Sequence, residues 1–260
     1  MKSTMDKLAK LLRFDDSVRF ELLLRLARWL VPGYRFKWPQ MAWWDDPEFS
    51  AYLEAFDGPN GLNADRRWML GQLLRLTAGV AGDTAECGVY RGAGSLQICR
   101  FNRTKGTPVP MHFVFDSFEG LSAPEADDGS HWRAGDLSVP EARVARALEG
   151  HEAVRLLKGW IPERFAEVAD RRFAFVHVDV DLLAPTRDSV SFFYPRLNDG
   201  GILLCDDYGF TSCPGATRAI DDYLTDKPEK MIALSGGGGF LIKGCVSAAA
   251  APCTAGADSR

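Results

Sequence analysis

The spacing of apolar residues divides the chain into an N-terminal helical part and a longer alternating part. Leucines recur at helical spacing through residues 7–30 and Pro32 follows, so the pattern predicts a helical extension that ends there. Residues 34–63 are rich in Trp and Phe and are interrupted by prolines, which predicts an irregular segment suited to capping a pocket. A further helix is predicted over residues 65–77.

From residue 83 onward, short apolar runs alternate with amphipathic stretches, as in a parallel sheet covered by helices on both faces. The predicted strands are residues 84–87, 112–115, 154–158, 173–180 and 202–205, and the predicted helices are residues 95–101, 140–148, 161–168, 186–196 and 216–224. Residues 231–234 and 240–242 flank a glycine run, which predicts a final hairpin. We therefore expect a Rossmann-like α/β fold with a seven-stranded, mostly parallel sheet and an antiparallel last strand.

Composition and charge narrow the class of protein. A chain of 260 residues that is 46% hydrophobic suits one globular domain with a substantial core. The net charge of −4, without any block of basic residues, argues against nucleic acid as the main partner. Six scattered cysteines without CxxC spacing suggest reduced thiols and a cytoplasmic location. The N-terminal apolar stretches are too broken by charge for a signal peptide or membrane span, so no membrane partner is expected.

A glycine-rich turn after the first predicted strand indicates a nucleoside cofactor. Glu86 and Gly88 end that strand and lead into a helix, so backbone amides can face a ligand closely. Asp116 ends the second strand, where a carboxylate can accept hydrogen bonds from two ribose hydroxyls. Both a nicotinamide dinucleotide and S-adenosylmethionine fit these residues. The glycine register differs from GxGxxG, and with the C-terminal hairpin this favours S-adenosylmethionine.

Two acidic pairs follow later strands and indicate a cation site. Alternation along a strand would put Asp179 and Asp181 on one face with His177, unless the chain already turns at Asp181, and Asp206 and Asp207 end the next strand. Carboxylates this close repel one another unless a cation intervenes or one is protonated, and Mg²⁺ prefers oxygen ligands. Each pair by itself could instead form turns or cap helices. We interpret His177 as a buried residue that braces the site, not as a ligand.

Aromatic residues outside these motifs carry no assigned role. Trp43 and Trp44 could line a pocket, but aromatic-rich segments more often serve packing. His131, in the loop after Asp127 and Asp128, is equally ambiguous.

With these motifs in hand, the sequence resembles the TylF/MycF/NovP-like (macrocin-type) O-methyltransferases, which are class I, S-adenosylmethionine-dependent and Mg²⁺-dependent enzymes. The resemblance extends over residues 65–244. It rests on residues 83–92, 115–121, 158–160, 178–182, 186, 200–201 and 206–209. Leu183 stands where the family often has Tyr, and Ala184 and Pro185 replace a common acidic-Ser pair. These departures concern the acceptor and leave the reaction unaffected.

The resemblance implies roles for individual residues. It places Asp179, Asp206 and Asp207 on the metal and makes Asp181 the general base. The implied cofactor contacts are Glu86, Gly88, Tyr90, Arg91, Gly92, Ser95, Asp116, Ser117, Gly159, Trp160 and Asp179.

The resemblance also implies an activity. We expect a methyl group to be transferred from S-adenosylmethionine to a sugar hydroxyl of a natural-product glycoside or glycan, with Mg²⁺ lowering the pKa of that hydroxyl. A catechol-like or other small-molecule hydroxyl is the alternative acceptor. An NAD-dependent oxidoreductase would leave the four aspartates without a shared role, and a noncatalytic S-adenosylmethionine-binding module would show no turnover.

The expected organisation has three parts. Residues 1–64 form the helical N-terminal extension or lid, residues 65–246 form the methyltransferase domain, and residues 247–260 form a disordered tail of small residues. The resemblance suggests a homo-oligomer with N-terminal helices at the interface.

Overall fold

The computed structural model describes residues 16–30, 41–56 and 63–246. The chain divides into two compact units, residues 1–51 and residues 52–260, and each is considered by itself. The predicted boundary at residue 64 therefore lies within the second unit, and the predicted tail lies outside the described residues.

The first unit contains the N-terminal helical elements. Helix α1 (Asp16–Leu30) is followed by a 3₁₀ turn (Ala42–Asp45) and by helix α2 (Pro47–Phe56), which runs on into the second unit. The predicted helix over residues 7–30 is thus observed from residue 16, and its first part lies outside the described residues. Trp43 packs edge-on against Phe49, with ring centroids 5.8 Å apart, so this tryptophan takes part in packing.

The second unit is built on one seven-stranded sheet. The strands are β1 (Asp83–Cys87), β2 (His112–Asp116), β3 (Val154–Lys158), β4 (Phe173–Val178), β5 (Leu197–Cys205), β6 (Ile232–Ala233) and β7 (Gly239–Ile242). Their order is β3-β2-β1-β4-β5-β7-β6, and β7 pairs antiparallel with both of its neighbours. The predicted fold, including the antiparallel last strand, is confirmed.

Helices connect the strands and cover both faces of the sheet. They are α3 (Ala64–Leu76), α4 (Ala93–Thr104), α5 (Glu141–Ala147), α6 (Leu183–Phe193) and α7 (Pro214–Leu224), with short 3₁₀ turns at Ala126–Asp128, Phe165–Val168 and Tyr194–Arg196. Strand β4 lies at the centre, and Phe173, Phe175 and Val176 are fully buried, as expected for a strand covered on both faces. No helix among the described residues is long and apolar enough to cross a membrane.

Three predicted elements differ clearly from the structure. Strand β5 begins at Leu197 and not at residue 202, and its first residue pairs with Phe173 of β4. The helix predicted over residues 161–168 is only the 3₁₀ turn Phe165–Val168. Its two buried residues, Phe165 and Val168, are three positions apart, so one tight turn buries both. Strand β4 ends at Val178 and not at residue 180, because the chain turns at Asp181, whose φ is +60°. The alternation that puts His177, Asp179 and Asp181 on one strand face therefore does not extend to Asp181.

Candidate active site

A cavity of about 460 Å³ opens at the carboxyl ends of the parallel strands, where open α/β sheets bind ligands. The ends of β1, β2 and β3 contribute one part of its wall, and the ends of β4 and β5 contribute another. The residues from these strand ends include Gly88, Asp116, Gly159, Asp179, Asp181 and Asp207. Members of both groups of carboxylates predicted from the sequence thus share one cavity, with Asp116 from the first group and Asp179, Asp181 and Asp207 from the second.

Gly88 allows the loops after β1 and β4 to meet. Its φ is +78°, and a Cβ atom there would lie 1.8 Å from the carbonyl oxygen of Asp179. The Asp179 amide also donates to the Cys87 carbonyl oxygen at 2.8 Å. Only glycine fits this crossing, which brings the Asp179 backbone against the glycine-rich turn.

Glu86 lies beneath the cavity instead of in its wall. Its carboxylate contacts His177 Nδ1 at 2.8 Å and accepts a hydrogen bond from Ser95 Oγ. Burial by itself would raise the pKa of Glu86, but the contacts with His177, His112 and Ser95 hold it below its usual value. Glu86 is therefore an ionised, fully buried group that the protein itself neutralises.

Asp116 is presented to the cavity by two backbone amides. The Val89 amide donates to Oδ2 at 2.7 Å, and the Phe118 amide donates to Oδ1 at 2.6 Å. Burial raises the pKa of Asp116, and these amides oppose the rise. Each carboxylate oxygen keeps a further lone pair, so the group can accept hydroxyl hydrogen bonds from a ligand.

The residues predicted to contact the cofactor fall into two sets. Those in the cavity wall are Gly88, Tyr90, Asp116, Ser117, Gly159, Trp160 and Asp179. Those outside the wall are Glu86, Arg91, Gly92 and Ser95. Arg91 donates to the Phe56 carbonyl oxygen at 3.1 Å, and Gly92 caps α4 with a φ of +91°. The second set supports the turn from behind the cavity.

The four aspartates form two groups of donor atoms. Asp179 and Asp206 have ligand atoms within 4.8 Å of His177, and Asp181 and Asp207 have ligand atoms within 4.8 Å of Cys213. Asp207 Oδ2 accepts hydrogen bonds from the Val180 amide at 3.0 Å and from the Asp181 amide at 2.7 Å. These bonds tie the loop after β4 to the end of β5. The position of Asp181 thus depends on Asp207, which lies 26 residues away.

Three of these aspartates lie in surroundings that disfavour ionisation of the carboxyl group. Burial, aided by neighbouring carboxylates, raises the pKa of Asp179 to about 6 and that of Asp181 to about 7, and it raises the pKa of Asp207 well above its usual value. All three line the cavity. A divalent cation with oxygen ligands would relieve their repulsion, so the chemistry of these carboxylates fits Mg²⁺. Of the three predicted ligands, Asp179 and Asp206 belong to one group of donor atoms and Asp207 belongs to the other.

Asp206 differs because cations of the protein already surround it. Burial opposes its ionisation, but contacts with His177 and Arg66 hold the pKa of Asp206 well below its usual value. Burial would lower the pKa of His177, but Asp206 and Glu86 raise it to about 10. His177 Nε2 lies 3.7 Å from Asp206 Oδ1, which is an ion-pair contact and too long for a hydrogen bond. His177 therefore links Glu86 to Asp206, in agreement with the predicted bracing role.

Sequence reasoning missed several residues of the site. Arg66 and Arg67 open α3, and Arg66 donates to the Asp206 carboxylate and, at 3.3 Å, to its carbonyl oxygen. The sequence shows only a pair of arginines at the start of a helix, and such residues usually lie on the solvent-exposed face of the helix. Cys213 Sγ lies 3.6 Å from Asp181 Oδ1, and Trp132 Nε1 donates to the same sulfur at 3.3 Å. No sequence pattern distinguished Cys213 from the other cysteines.

The sheet order, the antiparallel last strand and the cavity at the strand ends define the Rossmann-like fold of class I methyltransferases. Within that class, the chain belongs to the macrocin-O-methyltransferase (TylF) family, whose model matches residues 73–232. The family predicted from the sequence motifs is thereby confirmed.

Individual relatives agree with this membership. The chain is 33% identical over 159 residues to the 8-demethyl-8-(2,3-dimethoxy-α-L-rhamnosyl)-tetracenomycin-C 4′-O-methyltransferase of Streptomyces olivaceus, covering 57% of this chain and 60% of the relative. It is 30% identical over 155 residues to the demethyldecarbamoylnovobiocin O-methyltransferase of Streptomyces niveus, covering 55% and 58%. It is 29% identical over 162 residues to the mycinamicin III 3″-O-methyltransferase of Micromonospora griseorubida, covering 56% and 63%. The matched region thus spans about 60% of the length of these curated relatives.

Solved structures agree on the fold. The calicheamicin methyltransferase CalS11 superimposes with a TM-score of 0.65 at 22% identity, covering 74% of this chain and 83% of that one. The O-methyltransferase NovP superimposes with a TM-score of 0.58 at 27% identity, covering 69% and 80%.

Proposed function

We propose that this protein is an S-adenosylmethionine-dependent, Mg²⁺-dependent O-methyltransferase that acts on a sugar hydroxyl of a natural-product glycoside. The observation that carries the proposal is the shared cavity. Its wall includes Asp116, which can accept from ribose hydroxyls, and the mutually repelling carboxylates of Asp179, Asp181 and Asp207. A methyl donor and a cation-bound acceptor can therefore meet in one cavity.

The cofactor would lie along the glycine-rich side of the cavity. Asp116 would accept the ribose hydroxyls, and Gly88 would admit close backbone approach. Tyr90, Ser117, Gly159 and Trp160 would complete this wall. Glu86, Arg91, Gly92 and Ser95 would act from behind it, by fixing the turn that carries Gly88 and Tyr90.

Mg²⁺ would be held by Asp179, Asp206 and Asp207, and it would lower the pKa of a bound hydroxyl. Asp206 would then exchange part of its contact with Arg66 for the ion. Asp179 and Asp207 bring carboxylates that already face the cavity.

Asp181 would act as the general base. Its carboxylate lines the cavity, and burial raises its pKa, which favours uptake of a proton. The deprotonated acceptor oxygen forms a bond to the methyl carbon as the carbon–sulfur bond of the sulfonium breaks, so the products are the methyl ether and S-adenosylhomocysteine. The proton stays on Asp181 until water removes it.

The relatives support a sugar as acceptor. Two of them are named for a 4′-O or a 3″-O position, and one of these names specifies a rhamnosyl group. A homo-oligomeric state and a cytoplasmic location stay predictions from the sequence.

The test is methyl transfer from labelled S-adenosylmethionine to four probes. These are the rhamnosyl tetracenomycin named above, demethyldecarbamoylnovobiocin, mycinamicin III and, as the competing class, a simple catechol. We expect at least one glycoside to be methylated with Mg²⁺ and none with EDTA. Methylation of the catechol alone, or transfer that survives EDTA, would contradict the proposal.

A matched pair of variants separates the cation site from general damage. Asp179→Ala should abolish Mg²⁺-dependent transfer while S-adenosylhomocysteine binding by calorimetry stays within a few fold of wild type. Asp222→Ala, on the exposed side of α7, should leave both unchanged, since its side chain is 74% exposed.

A further inference from the structure

Three side chains from separate loops form a connected line that ends on the proposed base. Trp132 belongs to the loop between β2 and α5, Cys213 precedes α7, and Asp181 follows β4. Trp132 Nε1 lies 3.3 Å from Cys213 Sγ, and Cys213 Sγ lies 3.6 Å from Asp181 Oδ1. Trp132 and Asp181 both line the cavity, and Cys213 is buried behind them.

The direction of these hydrogen bonds follows from the chemistry of the groups. An indole nitrogen can only donate, so the sulfur must accept from Trp132. Ser212 Oγ, 3.6 Å from the same sulfur, can itself donate a proton, which leaves the single thiol proton of Cys213 for the carboxylate. Asp181 Oδ1 is nearer to the sulfur than Asp207 Oδ1, at 3.6 Å against 3.9 Å. The line therefore runs from the indole N–H to the sulfur, and from the thiol S–H to Asp181.

Asp181 requires such support because its backbone is strained. Its φ of +60° lies in the left-handed region, which is sparsely populated by residues other than glycine. The Asp181 amide is fixed by Asp207 Oδ2 at 2.7 Å. That contact sets the backbone, whereas the carboxylate itself is contacted by the side chains of Asp207 and Cys213. Cys213 donates to that carboxylate.

Cys213 also differs from the other buried cysteines. Cys87 and Cys205 belong to the main apolar cluster of the sheet, and Cys99 belongs to the cluster beneath α5, as the sequence pattern predicts for thiols. Cys213 has polar atoms of Trp132, Ser212, Asp181 and Asp207 within 3.9 Å of its sulfur. Its surroundings are those of a hydrogen-bonding group.

We propose that Cys213 is a positioning residue that orients the Asp181 carboxylate and, through Trp132, couples that orientation to the cavity-lining loop between β2 and α5. The inference rests on the proposed function, because it takes Asp181 as the base. Cys213 itself does not touch the reacting atoms. Movement of Trp132 as an acceptor enters would be transmitted to Asp181 through the sulfur.

The kinetic test uses Cys213→Ala, Cys213→Ser and Trp132→Phe with whichever glycoside probe the wild type methylates. Cys213→Ala should lower kcat about fivefold, the effect of one lost hydrogen bond, with the KM for S-adenosylmethionine unchanged. Cys213→Ser should recover part of the loss, since a hydroxyl can donate. The double variant Cys213→Ala with Trp132→Phe should have the same kcat as Cys213→Ala alone, because both changes break one line.

Cys99→Ala is the matched control, since it removes a buried thiol remote from Asp181 and should leave kcat unchanged. An equal loss in Cys99→Ala and Cys213→Ala would overturn the proposal. A double variant whose loss is the product of the two single losses would overturn the coupling to Trp132.

A spectroscopic test needs no acceptor and no methyl transfer. The S–H stretching band of Cys213, identified by its absence in Cys213→Ser, should shift to higher frequency in Asp181→Asn because the amide is a weaker acceptor than a carboxylate. An unshifted band would overturn the contact. This result is distinct from failure of the proposed function, in which the band would shift while no probe is methylated by the wild type.

Discussion

The two sides of the cavity hold their carboxylates in opposite electrostatic states. On the β1–β2 side, Glu86 is paired with His177 and accepts a hydrogen bond from Ser95, and Asp116 accepts hydrogen bonds from two backbone amides. On the β4–β5 side, Asp181 and Asp207 are buried beside other carboxylates, which adds to the effect of burial and raises the pKa of each. The first side is complete as folded, whereas on the second side ionisation of the carboxyl groups is disfavoured unless a cation joins them.

This difference indicates what each side binds. On the β1–β2 side, existing hydrogen bonds hold the carboxylate in a fixed position. A carboxylate held in this way can accept hydrogen bonds from an uncharged group such as a ribose. Buried like charges cost stability unless a cation joins them. The β1–β2 side is thus suited to recognition by hydrogen bonds, and the β4–β5 side is suited to binding an ion.

Replacing the proposed base should have the largest effect. Asp181→Asn removes the proton acceptor and keeps the shape, so kcat should fall by about 10²- to 10⁴-fold. Binding of S-adenosylhomocysteine should change less than threefold by calorimetry, because Asp181 lies on the other side of the cavity. Asp222→Asn serves as the isosteric control on an exposed site. A kcat within tenfold of wild type would remove Asp181 from the role of base.

Neutralising one carboxylate on each side should change stability in opposite directions. Glu86→Gln breaks a fully buried ion pair with His177 and should lower the free energy of unfolding by about 3 to 5 kcal/mol. Asp207→Asn keeps an oxygen for the Val180 and Asp181 amides while removing a buried carboxyl group whose raised pKa costs stability at neutral pH. In EDTA it should raise the free energy of unfolding by about 1 kcal/mol.

Urea unfolding of the two variants in EDTA measures this contrast. Adding Mg²⁺ should stabilise the wild type more than Asp207→Asn, because the variant has lost a proposed ligand. Destabilisation of both variants to the same extent in EDTA would show that the two sides do not differ in charge balance.

The pH dependence of the free energy of unfolding should reveal the titration of His112, a buried histidine that is neutral in the folded protein. Burial lowers the pKa of His112 from 6.5 to about 4, and its ring nitrogens lie 3.0 Å from Thr84 Oγ1 and Ser95 Oγ. The unfolded chain takes up this proton at higher pH than the folded one. The contribution is therefore present above pH 6.5 and is lost as the pH falls toward 4.

The size of that loss follows from the shift and is about 3 kcal/mol. Urea unfolding at several pH values should show a shallower dependence in His112→Gln than in wild type over this range. His131→Gln, at an exposed histidine, should keep the wild-type slope. An unchanged slope in His112→Gln would mean that the folded protein accommodates the imidazolium.

Most of the fold could be predicted from the sequence because the signals are local. Strands β1, β2 and β3 lie within one residue of their predicted bounds, since apolar runs between turn residues mark them directly. The end of β4 could not be predicted in this way. The alternation of Val and Asp continues past Val178, but the turn at Asp181 is imposed by Asp207 from the neighbouring strand.

The same distinction applies to the site. The sequence predicts that the four aspartates lie close together, because the carboxyl ends of parallel strands share an edge of the sheet. The contact between Arg66 and Asp206 could not be predicted, since the two residues are 140 positions apart in the sequence. From the sequence, Cys213 cannot be distinguished from a cysteine of the apolar core. Only the positions of Trp132 and Asp181 in the structure reveal its polar surroundings.

A smaller effect than that of replacing the base is predicted on the β1–β2 side. Asp116→Asn keeps an oxygen for one of the two backbone amides and presents an NH₂ group to the other, so both the turn and the acceptor for ribose are weakened. Loss of a hydrogen bond to a charged group should reduce S-adenosylhomocysteine affinity about tenfold. Glu119→Gln, three residues further on, is the control and should bind normally. If Mg²⁺ affinity measured by calorimetry fell as much as cofactor affinity, the two sides would act as one unit and the contrast between them would not hold.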